Sequence, residues 1–185
     1  SVSELIALLK SKPGQFNYGS SGNGTIVHLT GELFKSTTGA YVVHIPYRGT
    51  ALVIPDMMSG QIHMLFDNIA SAMPHLKDGK LRAIAVTSTT RSPLLPALPT
   101  VSDSVPGFES VVWFGVFGPR GMPADITQKL NAEINTVLKS PEFLERLRVL
   151  GYDAAGGTSA DFAKVVVADT AKWAKLIKER KITIE

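Results

Sequence analysis

Apolar and polar positions follow two different periods in the first half of the chain. Leu5, Leu8 and Leu9 recur at helical spacing, which predicts an amphipathic helix. After it, short runs of β-forming residues alternate with helical stripes. The predicted strands cover residues 15–18, 41–45, 62–66 and 81–86, and the predicted helices between them cover residues 26–39, 50–59 and 68–76. This order with short connections is typical of crossover helices joining parallel strands, so we predict an α/β fold with a mostly parallel sheet.

The pattern changes after residue 86. Residues 87–110 are rich in proline and show no helical period, so we expect a surface excursion there rather than part of the core. Residues 111–118 predict one more strand. Three helical stripes follow, from Ile126 to Leu138, from Pro141 to Leu150, and from a capping pattern at Thr158 to about Arg180. The end of the chain is therefore mostly helical, and a domain boundary is predicted near residue 110.

A glycine-rich loop between a predicted strand and a predicted helix is the most informative segment. It consists of Gly19, Ser20, Ser21, Gly22, Asn23, Gly24 and Thr25. A helix N-terminus presents unpaired backbone N–H groups and a partial positive charge, so it binds anions without a basic side chain. The hydroxyl and amide side chains of the loop add further donors. An ordinary glycine-rich turn with capping serines remains an equal alternative from these residues alone.

Three more specific interpretations of this loop fail. A phosphate-binding P-loop requires Lys after its second glycine, and Thr25 follows Gly24. A dinucleotide fingerprint requires a third glycine where Val27 stands. A nucleophile elbow requires a final glycine where Asn23 stands. The loop therefore predicts neither nucleotide binding nor a nucleophilic serine.

Two other loops follow predicted strands, one at Tyr47, Arg48 and Gly49 and one at Asp67. Ligands of open parallel sheets bind outside the carboxyl ends of the strands, so we expect both loops to lie beside the glycine-rich loop. Arg48 is a candidate partner for Asp67 or for a ligand carboxylate. A solvated charge at Arg48 and a helix cap at Asp67 remain the alternatives.

The histidines predict structural roles rather than a metal site. No two of them have the i, i+4 spacing of a helical metal-binding pair. His28 follows Gly24 by one helical turn, so we expect a hydrogen bond between His28 and the loop. We predict no metal and no cofactor.

The composition narrows the class of protein. Of the 185 residues, 44% are hydrophobic and 19% charged, and the formal net charge is +3, which argues against disorder. The basic residues near the C-terminus alternate with apolar ones, as on the solvated face of a helix, so no nucleic-acid partner is predicted. The chain has no cysteine, which excludes disulfides and thiolate metal sites.

Motifs along nearly the whole chain resemble one known family. The segment from Pro13 to Gly24 followed by His28 and Leu29 is similar to the ligand loop of the tripartite tricarboxylate transporter receptors, the Bug-type or TctC-like proteins. Further segments agree with the family in order and spacing. They are residues 46–50, 60–64, 66–68, 79–87, 98–101 and 113–119, with Leu150, Gly151 and Trp173.

The resemblance implies a periplasmic receptor with a two-lobed, hinge-closing fold of the type II binding-protein class. Such receptors capture small carboxylates and deliver them to a membrane permease. In the family, the loop that matches Ser20 to Thr25 binds a ligand carboxylate, and the loops that match Tyr47 to Gly49 and Asp67 line the same cleft. Residues 1–110 would then be the second lobe, which binds ligand, and residues 111–185 would be the helical return of the first lobe.

One departure from the family concerns the start of the chain. Family members carry most of the first lobe ahead of the position that matches Ser1, and no signal peptide precedes Ser1 here, so we expect the natural chain to begin upstream. Without those partner strands, the apolar faces of residues 111–185 would be exposed, and we expect self-association.

Two other functions remain open at this point. The first is an interaction or regulatory domain that has the receptor fold but binds no ligand. The second is an enzyme acting on a carboxylated substrate, which would need a general base and a nucleophile in one cleft. Asp67 and His28 are the candidate bases, and no activator is evident for Ser20 or Ser21.

Overall fold

The computed structural model describes residues 1–183 and consists of short strands and longer helices. The helices are α1 (Val2–Ser11), α2 (Ile26–Thr38), α3 (Val53–Met58), α4 (Ile69–Lys77), α5 (Ala124–Val137), α6 (Pro141–Leu150) and α7 (Ser159–Arg180). The strands are β1 (Asn17–Ser20), β2 (Val43–Pro46) and β3 (Met64–Leu65). Two short 3-10 helices, Thr50–Leu52 and Val101–Asp103, complete the set.

The strands form a parallel sheet in the order β2-β1-β3. Tyr18 in the central strand lies opposite His44 on one side and Met64 on the other. Because the three strands run the same way, their carboxyl ends meet at one edge of the sheet. The predicted α/β class with a parallel sheet is confirmed.

Helix ends follow the capping chemistry of the sequence. The Thr25 side chain accepts a hydrogen bond from the His28 backbone N–H and begins α2, and Gly39 ends it in the left-handed conformation. The predicted capping pattern before α7 is confirmed, because Thr158 Oγ1 accepts from the Asp161 N–H and donates to its carboxylate. Local side chains therefore determine where these helices begin.

Two predicted strands are absent from the described residues. Residues 81–85 and 111–118 pair with no neighbouring strand there, and Val86 forms an isolated bridge with Thr100. A strand requires a partner for its backbone N–H and C=O groups, and none of residues 1–183 supplies one. The composition of these segments suits a strand, but composition alone does not provide that partner.

The expectation that residues 87–110 form a surface excursion is wrong. Val101, Val105 and Phe108 are buried in the main apolar cluster, together with Tyr18 and Phe34. The Ser110 hydroxyl, also buried, lies 2.6 Å from that of Thr30 in α2. The prolines of this segment exclude regular helix but not burial, because turns and one 3-10 helix carry its apolar side chains inward.

The chain divides into two compact units. One comprises Ser1–Val112 with Lys175–Glu185, and the other comprises Trp113–Ala174. The end of α7 thus belongs to the first unit, whereas the sequence predicted an undivided return segment over 111–185. In the second unit, Phe114, Val116 and Val149 are more than 70% exposed. The assignment of these units to a ligand-binding lobe and the return of another lobe stays a prediction.

Candidate functional site

The glycine-rich loop lies where the central strand β1 ends. Gly19 and Ser20, predicted as loop residues, are the last residues of that strand. The Ser20 C=O accepts from the Tyr47 N–H at 3.0 Å, so the loop after β2 lies beside the loop after β1. The parallel order also brings the end of β3, which precedes Asp67, to the same edge. All three predicted loops therefore follow strands at one edge of the sheet.

Hydrogen bonds within the loop fix its turn. Thr25 Oγ1 donates to the Gly22 C=O at 2.7 Å and also caps α2 through the His28 N–H. The Thr25 N–H donates to the same Gly22 C=O. Gly24 has φ of 74°, a left-handed conformation that is costly for residues with a Cβ atom. The Thr25 side chain is therefore part of the loop's structure, and its predicted contact with a ligand stays a prediction.

Backbone N–H groups of the loop fall into two sets. Those of Gly22 and Gly24 donate to side chains, to Ser20 Oγ at 3.1 Å and to His28 Nδ1 at 3.0 Å. Within the described part of the chain, the N–H groups of Ser21 and Asn23 have no acceptor, and both residues are at least partly exposed. The satisfied and unsatisfied amides thus alternate along the loop.

Two stacked histidines lie directly beneath the loop. The rings of His28 and His44 are nearly parallel, with centroids 3.8 Å apart. The expected hydrogen bond between His28 and the loop is confirmed, because His28 Nδ1 accepts the Gly24 N–H. His44 Nε2 lies 2.6 Å from Ser20 Oγ. The role of His44 was missed from sequence, since only the pairing of β1 with β2 brings it beside Ser20.

A buried carboxylate, Glu32, adjoins this pair and has three donors. Tyr18 Oη donates to Glu32 Oε1 at 2.9 Å, Lys35 Nζ donates to the same oxygen at 2.6 Å, and Arg180 Nε donates to Oε2 at 3.0 Å. His28 Nε2 lies 4.0 Å from Glu32 Oε1. Glu32 is only 5% exposed, so its charge requires these partners.

The electrostatic environment keeps both histidines neutral. Burial lowers the pKa of His44 to about 4, and the adjacent His28 acts in the same direction. Burial also lowers the pKa of His28, against the opposing effect of Glu32. For Glu32, burial acts to raise the pKa, but hydrogen bonds from Lys35 and Tyr18 and the charge of Lys35 outweigh it, so its pKa lies below the ordinary value.

Arg48 and Asp67 do not form the pair that was considered from sequence. Arg48 is exposed and has no hydrogen bond or ion pair among residues 1–183. Asp67 accepts hydrogen bonds from the Asn68 N–H and the Ser71 hydroxyl at the start of α4. Tyr47 donates to Asp56 at 2.6 Å, and Gly49 precedes the 3-10 helix. The Arg48 charge at this edge thus has no partner within residues 1–183.

Ser20 and His44 have some, but not all, of the features of a catalytic nucleophile and its base. His44 stands beside Ser20 as an activator would, which corrects the sequence-based statement that no activator is evident. However, Ser20 has no exposed surface, and its hydroxyl already accepts the Gly22 N–H. Within residues 1–183, no group of three or more acidic or histidine side chains is arranged to hold a metal ion. No helix of that range is long and apolar enough to span a bilayer.

Comparison with known proteins gives a consistent result. A family model described as tripartite tricarboxylate transporter family receptor matches residues 1–182. A protein encoded in the tcbD-tcbE intergenic region of Pseudomonas sp. is 34% identical over 98% of this chain and 54% of its own length. A protein from the clcB-clcD intergenic region of Pseudomonas knackmussii is 33% identical over 88% of this chain and 97% of its own length.

A solved structure from R. palustris, Rpa4515 with adipate, has the same fold. It superposes with a TM-score of 0.85 and 36% identity over 100% of this chain and 62% of that one. The chain spans about half the length of most curated relatives it matches. The family model describes a receptor. A second solved structure, periplasmic binding protein BugD, superposes with a TM-score of 0.79 and 30% identity over 99% of this chain and 62% of that one.

Proposed function

The chain belongs to the tripartite tricarboxylate transporter receptor family, and we propose that it is the ligand-capturing part of a periplasmic receptor for small carboxylates. One observation carries the proposal. The N–H groups of Ser21 and Asn23 have no acceptor within residues 1–183, and they lie where α2 begins, at the carboxyl edge of a parallel sheet. This is the usual position of a ligand in an open α/β sheet.

The amides recognise negative charge in two ways. Each N–H offers a hydrogen bond to an ionised oxygen, which is worth about 1.5–3 kcal/mol. The helix dipole of α2 adds a partial positive charge at the same point. Ser20, Gly22, Gly24 and Thr25 shape the loop through their internal hydrogen bonds. A few such contacts, less the costs of ordering and desolvation, support an affinity in about the micromolar range.

The two neighbouring loops supply the remaining contacts. Arg48 has a free guanidinium group at the same edge, suited to the distal carboxylate of a ligand with two acidic groups. Tyr47 and Gly49 flank it, and Asp67 orders the start of α4. A binder of this kind releases its ligand unchanged to a membrane permease and catalyses no reaction. The adipate of the R. palustris relative is a ligand of the expected size and charge.

Isothermal titration tests this function directly. The purified chain is titrated with adipate and citrate, and with adipamide as an uncharged control of matched length. We expect saturable binding of a carboxylate, no binding of adipamide and no chemical change of the ligand by NMR. Turnover would indicate an enzyme, and no binding across a wider panel of carboxylates would indicate an interaction domain.

Two substitutions distinguish ligand binding by the side chains of the loop from binding by its backbone N–H groups. Ser21→Ala removes a hydroxyl but retains the N–H, so we expect at most a few-fold loss of affinity if the amide dominates. Thr25→Ser retains the hydroxyl that caps α2 and bonds Gly22, and it serves as the control for a small change in the loop. Loss of all binding in Ser21→Ala would contradict recognition through backbone amides.

A further inference from the structure

The stacked histidines are hydrogen-bonded, directly or through Ser20, to every second backbone amide of the loop. Gly24 donates its N–H directly to His28 Nδ1, and Gly22 donates its N–H to Ser20 Oγ, which is 2.6 Å from His44 Nε2. Turning these two amides inward leaves those of Ser21 and Asn23 without an acceptor in the described residues. The pair therefore determines which N–H groups of the loop are available to an anion.

We propose that His28 and His44 form an acid-sensitive latch that positions this loop, so that protonation of the pair disrupts the loop and releases a bound anion. The proposal rests on the carboxylate-binding function proposed above. Both histidines act here as positioning residues, because they contact Ser20 and Gly24 of the loop and not its free amides.

The chemistry of the imidazole determines that acid, and not base, breaks the contact between His28 and the loop. A backbone N–H is only a donor, so the 3.0 Å contact from Gly24 requires an unprotonated Nδ1 on His28. A protonated imidazole has donors on both nitrogens and no acceptor. Protonation therefore places two N–H groups opposite each other and leaves the Gly24 amide without an acceptor at a partly buried position, a change that costs free energy.

The charges around the pair do not compensate for protonation. The ionisable groups that face it are Glu32 and Lys35 of α2 and Tyr18 of β1, and Arg180 of α7 reaches Glu32. The Glu32 carboxylate is already paired with Lys35 and Arg180, so it has little charge left to balance a further cation. Burial lowers the pKa of both histidines, which keeps the latch closed at neutral pH and opens it in acid.

NMR spectroscopy of the unliganded chain tests the latch without a ligand. The His28 ring nitrogens and the Gly24 amide are followed from about pH 7.5 to about pH 4.5, across the range in which histidine titrates. We expect the Gly24 amide to shift with the same midpoint as His28 and to lose about tenfold or more of its protection from hydrogen exchange below it. Gly39 at the far end of α2 should not respond.

Matched variants connect protonation to ligand release. His28→Asn places an amide oxygen near the position of Nδ1, so it keeps an acceptor that does not titrate. We expect the adipate Kd of the unmodified protein, divided by that of His28→Asn, to rise by about tenfold per pH unit below the His28 pKa. Protonation of adipate itself changes both Kd values by the same factor, so it does not affect this ratio. His63→Asn, on an exposed ring that contacts Asn17 instead, should keep the pH dependence.

The outcomes separate the latch from the receptor function. Gly24 remaining protected while His28 becomes charged would overturn the latch, as would a His28 that stays neutral until the fold is lost by circular dichroism. Tighter adipate binding in acid, relative to His28→Asn, would also overturn it. Coupling of Gly24 to His28 with no carboxylate bound at any pH would support the latch and contradict the receptor function.

Discussion

Gly31 in α2 lies so close to the ring of Tyr18 in β1 that a methyl group at Gly31 would overlap the ring atoms Cε2 and Cζ. This contact sets the distance between the helix that begins at the loop and the strand that ends at it. Tyr18 is fully buried and its hydroxyl bonds Glu32, so the ring has little freedom to move away.

Gly31→Ala is therefore expected to destabilise the protein by about 1–3 kcal/mol, the usual cost of overpacking a core. The higher helix propensity of alanine opposes this loss by less than about 1 kcal/mol. The midpoint of urea unfolding measures the change. Ser36→Ala, at an exposed site on the same helix, is the control and should be neutral or slightly stabilising. Equal stability of the two variants would show that α2 moves freely away from Tyr18.

Replacing Glu32 tests the buried charge network. Glu32→Gln removes the negative charge but leaves Lys35 and the Tyr18 hydroxyl in place, and we expect a loss of about 3–5 kcal/mol because breaking one partner leaves an uncompensated buried charge. Chemical denaturation measures it. Glu145→Gln breaks an exposed pair with Arg148, and we expect it to leave stability nearly unchanged because solvent screens an exposed pair. Similar losses in both variants would contradict the importance of burial.

Stability should fall as the solution is acidified. The pKa of folded His44 is about 4, below the ordinary value of 6.5, so the unfolded chain binds protons that the folded protein does not. The stabilisation is complete above about pH 6.5 and is lost as pH falls towards 4. His28 acts in the same direction. The low pKa of Glu32 adds a loss at lower pH, below its ordinary 4.5.

Unfolding midpoints at a series of pH values check this dependence. His44→Gln keeps a polar group near Ser20 but does not titrate, so its midpoint should change less between pH 6.5 and 4 than that of the unmodified protein. An unchanged slope in His44→Gln would mean that other groups cause the acid sensitivity. His63→Asn again serves as the control for the loss of a histidine.

Arg48 and Asp67 should respond differently to truncation. Arg48→Ala removes an exposed side chain with no partner in residues 1–183, so we expect unchanged stability and an adipate Kd raised about fivefold, or ~1 kcal/mol, the upper value for an exposed ion pair. Asp67→Ala removes an acceptor just ahead of α4, whose N-cap is Asn68, and should cost about 0.5–1.5 kcal/mol of stability for the lost hydrogen bonds. Titration calorimetry and thermal unfolding distinguish the two, with Arg82→Ala as the charge control.

Self-association is expected from the second unit. Val116, Val149 and Val167 are 69–76% exposed, and apolar groups of this kind mark association surfaces when they are contiguous. Light scattering of the chain should show a mass that rises with concentration, and replacing all three valines with serine should reduce it. A concentration-independent monomer would contradict the expectation. The triple replacement of the exposed hydroxyl residues Ser36, Ser59 and Thr136 with alanine is a control.

The sequence predicted the segment around the loop well because local chemistry determines it. Glycines mark the turn, and Thr25 has the hydroxyl that begins α2. The hydrogen bond from the loop to His28 follows from one helical turn of spacing. These features depend on neighbours within four residues, so they can be inferred without knowledge of the tertiary structure.

Other features depend on distant parts of the chain and were missed. His44 acquires its role only through the register of β2 against β1, and no local pattern encodes that register. The burial of Phe108 was missed because proline content was taken as a sign of exposure. The absent strand over residues 111–118 shows the reverse error, since suitable residues form no ladder without a neighbour.

The bond between Glu32 and Arg180 has a consequence for synthesis of the protein. Arg180 follows Glu32 by 148 residues in the chain. The carboxylate is therefore incompletely neutralised until the ribosome has made the whole intervening segment, and the first unit reaches its full charge balance only after α7 has been translated. A stop codon just ahead of Arg180 would leave residues 1–112 intact yet make them a substrate for cellular proteases.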